Sequence, residues 1–247
     1  YGQKGYIYAI IQPDYNPKTG TLIYQIFEEK GARFGKFYFP GERRTKQKVL
    51  EREFKTLGLY EGAVYRPDKL VEVQQRLFML GLFRTVNIKT PERVEGKQVL
   101  DVITRVEEKK PGSVSLGGGY SPSEGVRGTI GLTHNNLYKR NMKASAKFRI
   151  GTQGNLYEAT LIEPWFIGRT IGSARLFEDN LEEQDNIRAQ GGTASLAKRL
   201  GLSSNLAIQY KYQALRPTTG GDGLSEERRK ALTTTVGSLG VSFRRDN

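Results

Sequence analysis

The sequence predicts an α+β unit followed by an antiparallel β-sheet whose strands are long enough to cross a membrane. The first observation is a change of period near Pro111-Gly112. Helical and strand spacings of apolar residues alternate before this point, and only period-two strands and turns follow it. The second is composition, because 29 glycines against 9 prolines, with 10% aromatic residues, are typical of many strands joined by tight turns.

Two helices and three strands are predicted over residues 32–110. Apolar residues at i, i+4 and i+7 spacing indicate an amphipathic helix over 45–57, which Gly58 ends. A second helix begins at Pro67 and ends at Gly81, which suits a left-handed cap. The strands cover residues 34–39, 82–88 and 100–106. The predicted order is therefore strand, helix, helix, strand, strand.

The first 31 residues repeat the end of this unit. Gly5 opens an apolar strand-like run over 5–11, as Gly81 does later, and a second alternating run follows it. Each copy then closes on Glu-Glu-Lys, and the two closing motifs stand 79 residues apart. Such spacing indicates tandem domains, so we expect residues 1–31 to be the last strands of a preceding copy.

The predicted sheet occupies residues 111–247. Five runs alternate apolar and polar residues, and each approaches the ~9–11 residues of a membrane-spanning strand. These runs cover residues 113–116, 126–133, 144–150, 157–161 and 206–212. A soluble antiparallel sandwich would alternate in the same way. A transmembrane barrel is favoured because no short strand indicates a Greek-key return, and because polar loops such as 178–190 and 214–230 alternate with short turns. The polar face also carries Lys147 and Lys211, as a wet lumen permits.

Composition argues against several other classes of protein. The net charge is +13, but basic residues are scattered and usually lie beside acidic ones, so nucleic-acid binding is not expected. Cysteine is absent and His134 is the only histidine, so a catalytic triad would depend on that residue and a multi-histidine metal site is impossible. Neither Lys-Ser/Thr nor a helix follows Gly117-Gly118-Gly119, which therefore does not fit a P-loop. We expect no enzyme activity, cofactor or metal.

Three segments resemble one protein family. GLYEGAVYRPDKLVEVQQRLFMLGLFRTVNI at 58–88 resembles a polypeptide-transport-associated (POTRA) domain. EEKKPGSVSLGGGYSPSEGVRGTIGLTHNNL at 107–137 is similar to the junction between the last POTRA domain and the barrel of BamA-type outer-membrane assembly factors. EATLIEPWFIG at 158–168 is similar to a strand of that family ending in Glu-Pro-Trp/Tyr-Phe.

The resemblance implies a division into domains. Residues 1–31 would be the C-terminal strands of a preceding POTRA domain, and 32–110 the complete last POTRA domain. Residues 111–247 would be the N-terminal half of an antiparallel transmembrane β-barrel, here incomplete. The chain would lie in the outer membrane of a Gram-negative bacterium, in preference to an organelle, with its POTRA domains in the periplasm.

The resemblance also implies a function for the first barrel strand. In the family this strand is one edge of a seam that opens laterally, and an edge strand can template another strand. The expected client-pairing residues are Ser113, Val114, Ser115, Leu116, Gly117, Gly118, Gly119 and Tyr120. Three consecutive glycines would weaken the edge and favour exchange of partners, although they are also compatible with a kinked or weakly held strand of no special role.

Two further sites are predicted around this strand. Lys110, Pro111 and Gly112 are the expected hinge between the two parts, unless the charged run before them is only a solvated surface. Trp165 and Phe166 are expected at the membrane interface, with a buried packing cluster as the alternative.

These residues together predict a non-enzymatic insertion factor. Its expected partners are unfolded outer-membrane protein clients, outer-membrane lipids and accessory lipoproteins. The alternatives are a related two-partner secretion or organelle protein-import transporter and, more remotely, a passive porin or a soluble basic binding protein.

Overall fold

The computed structural model describes residues 1–28, 30–41, 44–90, 98–122, 125–181, 187–200, 204–217 and 233–245. The chain divides into two compact units, Tyr1–Lys109 and Lys110–Asn247. Among the described residues, no helix is long and apolar enough to cross a membrane.

The first unit contains two helices and two small sheets. Its elements after a short 3-10 helix at Gly2–Lys4 are β1 (Ile10–Asn16), β2 (Thr21–Phe27), β3 (Arg33–Tyr38), α1 (Gln47–Thr56), α2 (Pro67–Met79), β4 (Phe83–Lys89) and β5 (Val99–Glu108). The strands β1 and β2 form an antiparallel hairpin. In the other sheet, β5 pairs in parallel with β3 and antiparallel with β4, which gives the order β3-β5-β4. The predicted order of strand, helix, helix, strand and strand is confirmed.

The two helices form because each places an apolar stripe on this sheet. Val49, Leu50 and Phe54 are buried on α1, as the helical spacing predicts. Pro67 occupies the first turn of α2, where its missing N–H leaves no donor unpaired. After α2, Gly81 has φ +72°, a left-handed conformation that glycine adopts without steric cost.

Among the described residues, the buried core of this unit runs from Ala32 to Val102. The most completely buried side chains include Phe34, Leu50, Phe54, Val73, Leu77, Phe83 and Val102. They come from all three strands of the larger sheet and from both helices, so burying them joins that sheet to the helices.

The predicted strand over residues 5–11 is wrong in its first half. Gly5 has φ +90° and its N–H donates to the Gly2 carbonyl, so it ends a helical turn, and the strand begins only at Ile10. Gly5 and Gly81 are therefore alike in ending a helical turn with positive φ, but a strand does not follow Gly5 directly. Both strands of the hairpin are exposed along their whole length. Glu29 of the first closing motif lies outside the described residues, and the assignment of 1–31 to a preceding domain stays a prediction.

The second unit is a single antiparallel sheet of eight strands. They are β6 (Gly112–Ser121), β7 (Gly125–Leu137), β8 (Met142–Gly151), β9 (Gly154–Ile167), β10 (Thr170–Leu181), β11 (Ile187–Leu200), β12 (Ser204–Pro217) and β13 (Thr234–Arg245). Each strand pairs with its neighbours in sequence, so the spatial order is the chain order and no described connection is a Greek-key crossover. The fold class is an α+β unit followed by strands of a transmembrane barrel.

Over β6 to β9 the register places most apolar side chains on one face of the sheet and most polar ones on the other. Leu116 lies opposite Ile130, Ile130 opposite Phe148, and Phe148 opposite Tyr157, which forms one apolar cross-strand row. We call this side the apolar face and the opposite side the polar face. A membrane barrel exposes the first to lipid and the second to its lumen.

Two predicted loops are shorter than expected. Part of 178–190 is strand, because β10 continues to Leu181 and β11 begins at Ile187. Likewise β12 continues to Pro217, within the predicted loop 214–230. Residues 182–186 and 218–232 lie outside the described residues. The strand ends were missed because they lose the alternation of the strand centres: residues 178–180 are all polar, and residues 214–215 are both apolar.

Candidate functional site

The predicted client-pairing residues form β6, the first strand of the eight-stranded sheet. It pairs with β7 without interruption from Gly112 opposite His134 to Ser121 opposite Gly125. In the part of the chain that the structure describes, no other strand pairs with β6, so its second backbone edge is unpaired. Such an edge presents N–H and C=O groups that can hydrogen-bond another strand.

The side chains of β6 are poorly covered. All residues from Gly112 to Tyr120 are exposed. Leu116 is 79% exposed, whereas Ile130, directly opposite on β7, is 45% exposed because strands flank it on both sides. Side-chain burial therefore contributes less to holding β6 than to holding β7.

The glycine run of β6 is not required by packing within this chain. A Cβ atom at Gly117 would meet nothing within 4 Å, and one at Gly118 would lie 3.6 Å from the Arg127 carbonyl oxygen. None of the three glycines has positive φ, and the pairing with β7 shows no register shift. A kink in the strand pairing is thus not observed, and ordinary residues would fit.

A different glycine, on β7, lies against a side chain of β6 at this site. A Cβ atom at Gly131, on β7, would lie 2.4 Å from the hydroxyl oxygen of Ser115. The Ser115 hydroxyl instead donates a hydrogen bond of 3.4 Å to the Gly131 carbonyl. Sequence reasoning missed Gly131, because only the register between β6 and β7 brings these two residues together.

The predicted hinge is partly tied to β7. The Pro111 carbonyl accepts a hydrogen bond of 2.9 Å from the Asn135 N–H, and Gly112 is already the first paired residue of β6. Lys109 N–H donates to the Leu82 carbonyl in the first unit. A hinge at Lys110, Pro111 and Gly112 stays a prediction. In such a hinge, the backbone rotation would occur mainly at Lys110.

The predicted interface aromatics lie at the end of β9. Phe166 is 56% exposed, and its ring lies over Gly172, where an added Cβ would be 2.9 Å from the Phe166 Cγ. Trp165 is half-buried, and its backbone N–H donates to the Glu163 carboxylate at 3.2 Å. Neither side chain is fully buried, and a position at the membrane interface stays a prediction.

The polar face carries a network of charges across neighbouring strands. Glu158 pairs with Arg175 at 2.5 Å, and Asp179 pairs with Arg149 at 3.6 Å. Arg175 also lies over the ring of Phe177, 5.5 Å from its centroid. Ion pairs of this kind remain solvated in a water-filled lumen and would be costly on a lipid-facing surface.

His134 and the acidic residues form no reactive cluster in the described chain. His134 pairs with Gly112, and its Nδ1 accepts a hydrogen bond of 3.3 Å from the Asn136 N–H at the end of β7. Within the described ranges, no three His, Cys, Asp or Glu residues come together as metal ligands.

Comparisons with known proteins agree with this architecture. The model of the POTRA family, described as a surface antigen variable number repeat, matches residues 32–109. The chain is 26% identical over 216 residues to the outer membrane protein assembly factor BamA of Neorickettsia risticii, covering 84% of this chain and 29% of that protein. It is 23% identical over 121 residues to the chloroplastic outer envelope protein 80 of Oryza sativa, covering 47% of this chain and 18% of that protein.

Solved structures share the fold. BamA from Haemophilus ducreyi lacking POTRA domains 1–3 superposes with a TM-score of 0.72 at 17% identity, over 100% of this chain and 51% of that chain. CdiB from Escherichia coli superposes with a TM-score of 0.58 at 14% identity, over 98% of this chain and 46% of that one. The chain spans less than a third of the length of the Neorickettsia risticii and Oryza sativa proteins named above.

Proposed function

Because the chain is a BamA-type protein of the superfamily that joins POTRA domains to a β-barrel, we propose that it assembles outer-membrane β-barrel proteins by pairing client strands with β6. The protein belongs to the outer membrane, with its POTRA domain in the periplasm. The observation that carries the proposal is the glycine run Gly117-Gly118-Gly119 of β6, which packing within the described chain does not require.

The physical reason for pairing is the cost of unpaired backbone groups in lipid. Each N–H or C=O without a partner costs several kcal/mol in the hydrocarbon region, on the order of the penalty for burying any unsatisfied polar group. A client strand that adds to β6 therefore satisfies its own backbone and that of β6. The client's folding supplies the free energy, so the proposal requires no nucleotide and no catalytic residue.

The glycine run would allow the client to leave again. Glycine costs strand stability and gives a partner strand no side chain to pack against. Since packing within the chain does not explain Gly117, Gly118 and Gly119, we assign them to weak and reversible pairing with a client. A permanent neighbour would be better held by β-branched or aromatic residues.

The POTRA unit would receive the client before the barrel does. Its sheet order leaves one side of β4 without a strand partner among the described residues, whereas residues 62–65 already hydrogen-bond to the outer side of β3. An extended client segment could add to such an edge through main-chain hydrogen bonds. Accessory lipoproteins remain expected partners, with no particular surface assigned to them.

Secretion through the lumen is the second candidate function, and the polar face favours it. The charges of Arg149, Glu158 and Arg175 would line the path of an unfolded polypeptide. The two functions differ in where the client lies during transport. Assembly places it at the edge of the sheet, paired with β6, and secretion places it against the polar face.

Site-specific photo-crosslinking in the full-length protein tests the proposal. A photoreactive residue replaces Leu116 on β6 while a barrel client is being assembled, and we expect a client adduct. Ile130 and Phe148 are matched controls because they lie in the same cross-strand row, one and two strands further from the free edge. Adjacent strands are roughly 4.8 Å apart, so the adduct should fall from Leu116 to Phe148.

A fourth probe distinguishes the alternative. It replaces Lys211, whose side chain lies on the polar face beside Phe177. Client adducts at Lys211 with none at Leu116 would refute pairing at β6 and support secretion. Equal adducts at Leu116, Ile130 and Phe148 would also refute it, because they would indicate nonspecific contact with the apolar face.

A further inference from the structure

The apolar face contains a cavity with one charged end. The cavity has a volume of about 710 Å³ and lies over β9 to β12. Its floor is formed by the small residues Ala174 and Ala194, and larger side chains such as Leu196 and Tyr210 stand beside them. Ala174 and Ala194 thus leave a groove in the surface that a barrel turns toward lipid.

Glu163 and Arg140 form the charged end of this groove. Glu163 has only 8% of its surface exposed, although it lies opposite Gly172 on the apolar face. Its carboxylate is 3.6 Å from the Arg140 guanidinium and accepts a hydrogen bond of 3.2 Å from the Trp165 N–H. A buried charge on a lipid-facing surface is costly, which makes this pair a candidate for a binding role.

The position along the membrane normal follows from chain connectivity. The strand β6 begins at Gly112, immediately after the periplasmic POTRA unit, and Gly112 lies opposite His134 near the end of β7. Arg140 is in the turn that follows β7. The charged end of the groove is therefore at the periplasmic end of the sheet, at the height of lipid headgroups.

Arg140 retains donors for a second anion. A guanidinium has five N–H donors and binds phosphate in a bidentate manner. The Arg140 side chain is 55% exposed, whereas that of Glu163 is 10% exposed. Arg140 can thus contact a headgroup phosphate while Glu163 holds it at the mouth of the groove.

We propose that this groove binds one phospholipid of the periplasmic leaflet, with the phosphate on Arg140 and an acyl chain over Ala174 and Ala194. Lipid is the chosen occupant because the groove lies on the face that a membrane barrel exposes to lipid. The Arg140–Glu163 pair adds a charged end at headgroup height. The proposal depends on the location of the sheet in the membrane, and it is independent of client pairing at β6.

Native mass spectrometry of the full-length protein in detergent micelles tests the site. The probes are palmitoyl-oleoyl phosphatidylethanolamine and the diacylglycerol with the same chains. Because a hydrogen bond to a charged group is lost, Arg140→Gln should weaken phospholipid binding about tenfold and leave diacylglycerol unchanged. Lys143→Gln is the control. Lys143 lies at the start of β8, three residues after Arg140, but it is on the polar face, where it pairs with Ile162.

Glu163→Gln gives a change of opposite sign. The amide oxygen can still accept the Trp165 N–H, but the charge that neutralises Arg140 is removed. Phospholipid binding should therefore increase, by about threefold for the loss of a partly exposed ion pair. A purely structural role for the pair predicts weaker or unchanged binding in this variant.

Filling the groove tests the acyl-chain part of the site. Ala194→Phe should abolish retention of both probes, whereas Gly128→Phe, on the same face but with open space around it, should not. Heat-modifiable gel mobility shows whether each variant is folded. If Ala194→Phe does not fold, the Arg140 and Glu163 variants decide whether the groove binds phospholipid. Equal lipid retention by all variants, or equal loss of both probes in Arg140→Gln, would overturn the proposal.

Discussion

Single residues of the POTRA core illustrate how strongly a spacing pattern can determine packing. Phe54 is 2% exposed, and its ring contacts those of Phe37 and Phe39 at centroid distances of 5.3 and 5.6 Å. The helical period alone places Phe54 on the apolar stripe of α1. Its aromatic neighbours on β3 and just after it become apparent only when the sheet is formed.

Replacing Phe54 with alanine should cost most of the stability of this unit. Removing a buried phenylalanine typically lowers the free energy of unfolding by about 3–5 kcal/mol. Urea unfolding of residues 1–109, expressed as a soluble fragment, measures the change. Phe78→Ala is the matched control, because Phe78 on α2 is 55% exposed and its loss should change stability by less than ~1 kcal/mol. Similar losses in the two variants would contradict the assignment of the core.

Residues whose role depends on distant partners could not be predicted in this way. The cap at Gly81 follows from local backbone chemistry, and the structure confirms it. In contrast, Glu163 is 23 positions from Arg140, and nothing in either segment indicates that the two are paired. Gly131 likewise lies beside Ser115 only because of the register between β6 and β7.

Elements show the same division between local and long-range information. The five predicted strands of the sheet were recognised because apolar residues alternate without a break. The unpredicted β10, β11 and β13 contain glycine, alanine or charged residues at positions of the apolar face, such as Gly192 and Gly237, and these weaken the alternation. Hydrogen bonding to neighbouring strands forms them nevertheless. The edge position of β6 was implied by the family resemblance and could not be obtained from its own residues.

At the scale of the strand, the glycine run of β6 gives the next prediction. Gly117→Val and Gly118→Val each add a β-branched side chain where the structure has room for it. Each should stabilise strand pairing by up to about 1 kcal/mol, since measured strand propensities span this range. A client paired with β6 should then dissociate up to about fivefold more slowly. Pulse-chase samples irradiated at successive times measure this, because the yield of the Leu116 adduct falls as the client leaves.

The control for this prediction lies in the last strand of the sheet. Gly240→Val changes the same residue type on β13, where an added Cβ would be 4.0 Å from the nearest atom, the Gln209 carbonyl oxygen. It should leave client release unchanged. Faster release from the Gly117 and Gly118 variants, or equal slowing in the Gly240 variant, would contradict a specific role for the glycine run.

The whole second unit depends on separating two environments across one layer of backbone. Its apolar face has aliphatic and aromatic side chains in continuous rows, and its polar face has the ion pairs of Arg149 and Arg175. Lipid on the first side and water on the second explain both surfaces without a second packed layer. The same separation places the phospholipid groove and the charged network on opposite sides of β9 and β10.

This separation predicts a difference between two arginine substitutions of similarly exposed residues. Leu176 is near the middle of β10 on the apolar face, and Gln209 is on the polar face of β12, opposite Ser195 and Gly240. Leu176→Arg should lower the free energy of unfolding by about 2–4 kcal/mol, the cost of arginine near the bilayer midplane, whereas Gln209→Arg should change it little. Urea unfolding of the full-length protein in phospholipid vesicles, followed by heat-modifiable mobility, measures both. Equal effects would mean that lipid does not cover the apolar face, which would favour a soluble sheet and remove the physical basis for pairing clients at β6 within the membrane.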